Sequence, residues 1–175
     1  MKNVAIFGIT SNPPHHGHMH AIEQFIEQFD EIWVNVSYLH PFDKPQMQSY
    51  EHRLKMTQLI LEEKKFPNVF LKQLDKECFE KTQTLPVYTF EVLQQLQGDK
   101  YSLILGQDNQ SVLSKFKNYQ YIVDNFPIFY AQPKQTFHST DIRVDILNDK
   151  DISYATGKSV AQYIKNNHLY KESNK

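Results

Sequence analysis

Five short apolar runs are separated by longer stretches in which apolar positions recur at helical spacing. "VAIFG" at 4 to 8, "IWVNVSY" at 32 to 38, "VFLKQL" at 69 to 74, "YSLILG" at 101 to 106 and "PIFYA" at 127 to 131 are rich in β-branched and aromatic residues and predict strands. Ala21, Ile22, Phe25, Ile26 and Phe29 predict a long helix after the first run, and Leu54, Met56, Leu59 and Ile60 one after the second. A charged loop then leads from the third run to "TFEVLQQL", a helix ending at Gly98, and "TDIRVDIL" and "SVAQYIKNNHLY" predict helices near the end of the chain. Strand and helix in alternation, with strands apolar along nearly their whole length, predict an α/β fold: a doubly wound, parallel sheet covered on both faces. The expected strand order is 3-2-1-4-5, with the C-terminal helices completing one side. One domain over 1–170 and a flexible tail over 171–175 are expected.

The stretch "GITSNPPHHGHMH" at 8 to 20 joins the first strand to the first helix. It lies at the carboxyl end of the strand, where open α/β sheets place ligands. Gly8 is expected to turn the backbone out of the sheet, Pro13 and Pro14 to stiffen the loop, and Gly17 to leave the helix start bare of a side chain. The free N–H groups of that start favour an anion. His15 in the loop and His18 in the first turn can then face one phosphate-sized object, supplying cationic or hydrogen-bonding groups. Histidines that merely cap a helix are the plainer reading, and a zinc site would need a third ligand where no thiolate is near. Neither the P-loop pattern nor GxGxxG is present. His16 and His20 are expected on the surface.

Two later segments carry related chemistry. "FHSTDIR" offers Ser139 or Thr140 as an N-cap, with Arg143 in the first turn, where a hydroxyl, backbone donors and a guanidinium suit phosphate oxygens. An ordinary capped helix with a solvated arginine is the alternative, and Asp141 suits the helix dipole. "LILGQDNQ" leaves Gly106 and Asp108 at the carboxyl edge of a buried strand, where glycine permits close approach and the carboxylate accepts hydrogen bonds from ribose hydroxyls. Tyr88 is read as packing against the sheet and Thr89 as capping the next helix, while Lys44 either closes over an anionic substrate or is solvated.

Composition narrows the classes. With 19 Lys plus Arg against 20 Asp plus Glu, the formal charge of −1 provides no overall field to recruit nucleic acid or an anionic membrane. A single cysteine, Cys78, and the lack of a long apolar segment lead us to expect a cytoplasmic location.

"GITSNPPHHGH" and "HSTDIRVDI", in that order, resemble the signature of the nucleotidylyltransferases. "HRLKM", "VYTFEVLQQL", "LILGQDNQSVLSKFKNYQYIV" and "SVAQYIKNNHLY" extend the resemblance to the bacterial nicotinate mononucleotide adenylyltransferases. The resemblance implies a Rossmann-like fold of the nucleotidylyltransferase type and adenylyl transfer from ATP to a pyridine mononucleotide. It implies His15, His18 and Arg143 as catalytic, and Gly8, Ile9, Thr10, Gly17, Gly106, Asp108, Ser139 and Thr140 as holding the nucleotide. Lys44, Tyr88, Thr89 and Phe116 would face the pyridine mononucleotide, and Mg²⁺ would bridge phosphate oxygens without a dedicated set of protein ligands. A homodimer is compatible with it. Two departures stand out: Phe116 occupies a position where relatives show tryptophan, and "SYLHPFDKPQM" rearranges a Pro-His-Lys element. Transfer to nicotinamide mononucleotide or phosphopantetheine, cytidylyl transfer, and a non-catalytic nucleotide-binding protein are the other functions weighed.

Overall fold

In the computed structural model, which describes residues 1–39, 47–134 and 137–171, the five apolar runs pair in parallel in the order β3-β2-β1-β4-β5. β1 spans Asn3–Ile9, β2 Glu31–Val36, β3 Val69–Lys72, β4 Lys100–Gly106 and β5 Ile128–Ala131. The expected order and the parallel pairing of the first and fourth strands are both found, with Phe7 opposite Ile104. Side chains alternate along each strand, so Ala5, Phe7 and Ile9 enter one core while Ile6 enters the other. That is why the strands read as unbroken apolar runs.

The larger core is closed by α1 (His16–Glu23), α2 (Tyr50–Lys64), α6 (Ser139–Leu147), α7 (Ser153–Thr156) and α8 (Lys158–Asn166), which contribute Met19, Ile60, Ile142, Ala155 and Ile164 among others. The second is closed by α3 (Leu74–Thr82), α4 (Thr89–Gln94) and α5 (Tyr119–Asn125), through Cys78, Leu93 and Ile122. The C-terminal helices therefore complete one side, as expected. Among the described residues no helix is long and apolar enough to cross a membrane.

Three expected elements have different limits. The third strand stops at Lys72, and the segment read as a charged loop is α3, because Leu74 and Cys78 lie four residues apart and bury the same helix face. The helix after β1 ends at Glu23; beyond it Phe25 and Gln28 make tighter bonds to Ile22 and Phe25, each 3.0 Å. The Asn68 amide takes the carbonyls of Ile26 and Phe29 at 2.9 and 2.8 Å, which substitutes for helical partners while Phe25 and Phe29 remain buried. α4 ends at Gln94, short of Gly98, whose φ of +92° belongs to the turn into β4. Of the tail expected over 171–175, residues 172–175 lie outside the described residues.

Candidate active site

The loop after β1 is shaped by residues other than those expected. Gly8 is still inside the strand, paired in register with Asn35, and the positive φ that turns the chain belongs to Ser11, at +60°. A Cβ on Gly8 would meet nothing within 4 Å, so the glycine leaves open space at the sheet edge instead of making a turn. Ile9 is buried and Thr10 half-buried at the strand's end.

His15 is the N-cap of α1, with extended backbone at φ −151°. Its N–H donates to His18 Nδ1 at 3.2 Å, and the two rings stack with centroids 3.8 Å apart and planes 26° from parallel. Because Nδ1 of His18 accepts, a neutral His18 carries its proton on Nε2 and has a donor to offer elsewhere. Gly17 makes this stack possible: a Cβ there would lie 2.9 Å from His15 Nδ1. Burial, reinforced by His18, His138 and His16, holds His15 down to about 2, and burial holds His18 down to about 4. Both rings are thus neutral hydrogen-bonding groups at neutral pH, the second of the two roles expected for them. The cap and the stacked pair are one arrangement: His15 O accepts from His18 N–H at 3.0 Å while His15 N–H donates to His18 Nδ1, and His15 Nδ1 is buried without a hydrogen-bond partner. His16 and His20 are half-buried, correcting the expectation of surface rings; His16 sets its edge against Phe137.

α6 reaches this loop from across the sheet. Its N-cap is His138; Ser139 is the first helical residue, and neither it nor Thr140 caps. The reason is tertiary: Ser139 Oγ donates to the Pro13 carbonyl at 2.9 Å. Arg143 lies in the second turn, where its Nη1 donates to Asn12 O at 2.7 Å and its Nη2 to Thr140 Oγ1 at 3.3 Å. Its Nε is buried without a partner, a donor left over for a ligand. Asp141 occupies the first turn, as the dipole favours.

Gly106 ends β4 beside β1, and Asp108 follows in a 3-10 turn over Gln107–Ser111. A Cβ on Gly106 would lie 2.5 Å from Asp108 Oδ1, so the close approach that glycine permits is that of the aspartate itself. Asp108 is exposed and accepts from the Asn109 side chain at 3.2 Å. On the second face, Tyr88 caps α4 and its N–H donates to Glu91 Oε2 at 2.8 Å; Thr89, read as the cap, is the first helical residue. Tyr88 is half-buried and stacks on Phe90, and Phe116 is half-buried against the same core. Lys44 lies outside the described residues.

Two residues on which no chemistry had been placed complete the site. Arg53 is 1 % exposed, and its guanidinium donates to the carbonyls of Thr10, Ser37, Tyr38 and Gln48 at 2.8 to 3.0 Å. The signal was an arginine sharing a helix face with Met56, Thr57 and Ile60. Asn12, only 3 % exposed, is the second, and its place between a glycine-containing turn and two prolines gave no periodicity to find it by.

A sequence profile described as cytidylyltransferase-like matches residues 6–145. A Flavobacterium psychrophilum protein named "Probable nicotinate-nucleotide adenylyltransferase" is 32% identical, covering 98% of this chain and 100% of its own. The nicotinate-nucleotide adenylyltransferase of Bacillus subtilis is 26% identical over 97% of this chain and 99% of its own. A solved structure from Vibrio parahaemolyticus, assigned to the same enzymes, superposes with a TM-score of 0.84 at 28% identity, covering 98% of this chain and 97% of that one.

Proposed function

The chain belongs to the cytidylyltransferase-like family and, within it, to the nicotinate-nucleotide adenylyltransferases, and from that premise we propose that it joins the AMP part of ATP to nicotinate mononucleotide. The products are pyrophosphate and the deamido-NAD dinucleotide, a step of NAD biosynthesis. The observation that carries the reading is the stacked, neutral His15–His18 pair at the carboxyl edge of β1, with Arg143 anchored on Asn12 of the same loop.

The 5'-phosphate of the mononucleotide is already anionic near neutral pH and needs no general base. One of its oxygens forms a bond to the α-phosphorus while the bond from that phosphorus to the bridging oxygen breaks, and pyrophosphate carries away the electron pair. His18 Nε2–H donates to the oxygens on which charge gathers, and the unpartnered Nε of Arg143 offers a fixed donor from α6. Gly17, Ser139 and Thr140 keep the helix starts free for the phosphates; Ile9 and Thr10 line the nucleotide side at the end of β1, and Gly106 with Asp108 takes the ribose. The open space at Gly8 belongs to the nucleotide side as well, and Tyr88, Thr89, Phe116 and Lys44 are assigned to the mononucleotide. Among the described residues no group of His, Cys, Asp or Glu could hold a metal ion, so the residues present do not fit a resident metal. Mg²⁺ is written here as part of the substrate, Mg-ATP.

The reaction is placed in the cytoplasm, without nucleic acid or membrane, and the expected assembly is a homodimer, tested by light scattering. The activity is tested with Mg-ATP or Mg-CTP against nicotinate mononucleotide, nicotinamide mononucleotide and phosphopantetheine, reading dinucleotide and pyrophosphate together. Dinucleotide from ATP and nicotinate mononucleotide is expected. Pyrophosphate released only with phosphopantetheine, or only from CTP, would overturn the reading.

A further inference from the structure

The loop that leads to His15 is tied down residue by residue. Arg53 Nη1 donates to Thr10 O at 2.8 Å, the Ser11 hydroxyl bonds to that of Thr57, Arg143 holds Asn12 O, and Ser139 holds Pro13 O. One further tie comes from the far end of the chain. The Tyr170 hydroxyl donates to Asn12 Oδ1 at 2.9 Å, across 158 residues of sequence. The same oxygen accepts from the Gln48 N–H at 3.1 Å, where the chain enters α2.

This contact is built into the fold. Tyr170 is 2 % exposed, and its φ of +64° turns the chain after α8, so that the phenol points inward. Leu169 N bonds back to Ile164 O at 3.1 Å, a backbone tie that fixes the approach, and the Leu169 side chain is buried in the core beside it. A phenylalanine would fill the same space, so packing alone does not call for the hydroxyl. Burial pushes the phenol far above its ordinary range, which keeps it a donor.

We propose that Tyr170 is a positioning residue for adenylyl transfer, holding the Asn12 side chain and, through that residue, the carbonyl on which Arg143 is anchored. The proposal rests on the site and reaction described above. Arg143 and His15 sit on either side of Asn12 in this chain of contacts, and a displacement of the loop moves them relative to each other. Such displacements cost rate most, because the transition state demands closer alignment than the ground state, and weaken ATP binding to a smaller degree through Arg143, while the mononucleotide side is untouched.

The test compares wild type, Tyr170→Phe and Leu169→Ala in the full chain. Tyr170→Phe is expected to lower Tm by only about 2–4 °C, the cost of one buried hydrogen bond, and to lower kcat by about fivefold to tenfold with KM for the mononucleotide unchanged. Leu169→Ala removes a buried side chain from the same turn but keeps the backbone bond to Ile164 O and the Tyr170 hydroxyl, and should lower Tm further while leaving kcat as in wild type. Wild-type kcat in Tyr170→Phe, or equal loss of kcat in both variants, would overturn the proposal. If wild type itself makes no dinucleotide, the functional reading fails; the positioning role is then read from the thermal shift with Mg-ATP, which Tyr170→Phe should reduce and Leu169→Ala should not.

Discussion

His18 accepts from its own helix start with one ring nitrogen and, in the proposed reaction, donates to the phosphates with the other, so its two roles can be separated by substitution. His18→Ala is expected to lower turnover by about 10²–10³, the usual cost of deleting a transition-state donor, and Tm by about 2–4 °C for the lost cap. His18→Asn, whose side-chain oxygen can accept the His15 N–H, should recover the Tm and not the rate. Turnover within twofold of wild type in His18→Ala would remove the residue from catalysis. The same pair predicts how stability varies with pH. In the unfolded chain both histidines titrate near 6.5, whereas in the fold His15 lies at about 2 and His18 at about 4. Between 6.5 and 4 the unfolded state binds more protons, so the contribution of the neutral pair is complete above neutral pH and shrinks as pH falls. Tm measured from pH 8 to 5 should drop, and a His15→Asn, His18→Asn double variant should give a flatter profile. Arg143→Lys is expected to weaken stabilisation by Mg-ATP and to slow transfer, because an ammonium cannot hold Asn12 O and Thr140 Oγ1 in the geometry of the planar fork and still offer a donor to phosphate. Undiminished ATP response and turnover would place Arg143 outside the phosphate site.

At the scale of elements, the start of α1 depends on what Gly17 lacks. A methyl group there would come within 2.9 Å of one ring atom of His15 and 3.0 Å of another, so Gly17→Ala must push the ring out of its stack on His18. Alanine favours a helix over glycine by about 1 kcal/mol, which offsets part of the strain in stability. The expected outcome is a small change in Tm with a large loss of turnover; retained turnover would show that the stack is dispensable. α3 and the end of α1 illustrate how an element is decided by its neighbours. Leu74 continues the apolar run of β3 in sequence, yet it starts a helix because Asn35 binds Asp75 through both its amide and its carbonyl, at 2.6 and 3.3 Å, and pins the first turn against β2. The helical spacing of Phe25 and Phe29 survives as burial alone, because Asn68 from the entrance to β3 takes the backbone partners.

For the whole molecule, Arg53 is the joint between the first loop, the end of β2 and α2. Arg53→Met would fill much of the volume while leaving the carbonyls of Thr10, Ser37, Tyr38 and Gln48 without their donor. A loss of about 3 kcal/mol or more is expected from such orphaned groups, measured by urea denaturation, and a loss under 1 kcal/mol would show that water replaces the guanidinium. The five strands, their burial on both faces and their order were legible in the chain, because alternation and apolar continuity are local consequences of a parallel sheet, whereas the meeting of the "HHGH" and "STDIR" segments was legible only through the family resemblance. What only the tertiary structure decided was how each polar group there is spent. Gly8 looked like a turn and is an open space within the strand; Gly106 looked like room for a ligand and is where Asp108 comes close; Ser139 looked like a cap and is a tie to Pro13; Arg143 looked like a first-turn phosphate group and is anchored, in the second turn, on Asn12. Hydrogen bonds to Asn12 come from Gln48, Arg143 and Tyr170, on segments that meet only after the sheet has formed. A local pattern records which residues must be buried, but a hydrogen bond needs a partner within about 3 Å, and for this loop the partners lie up to 158 residues away.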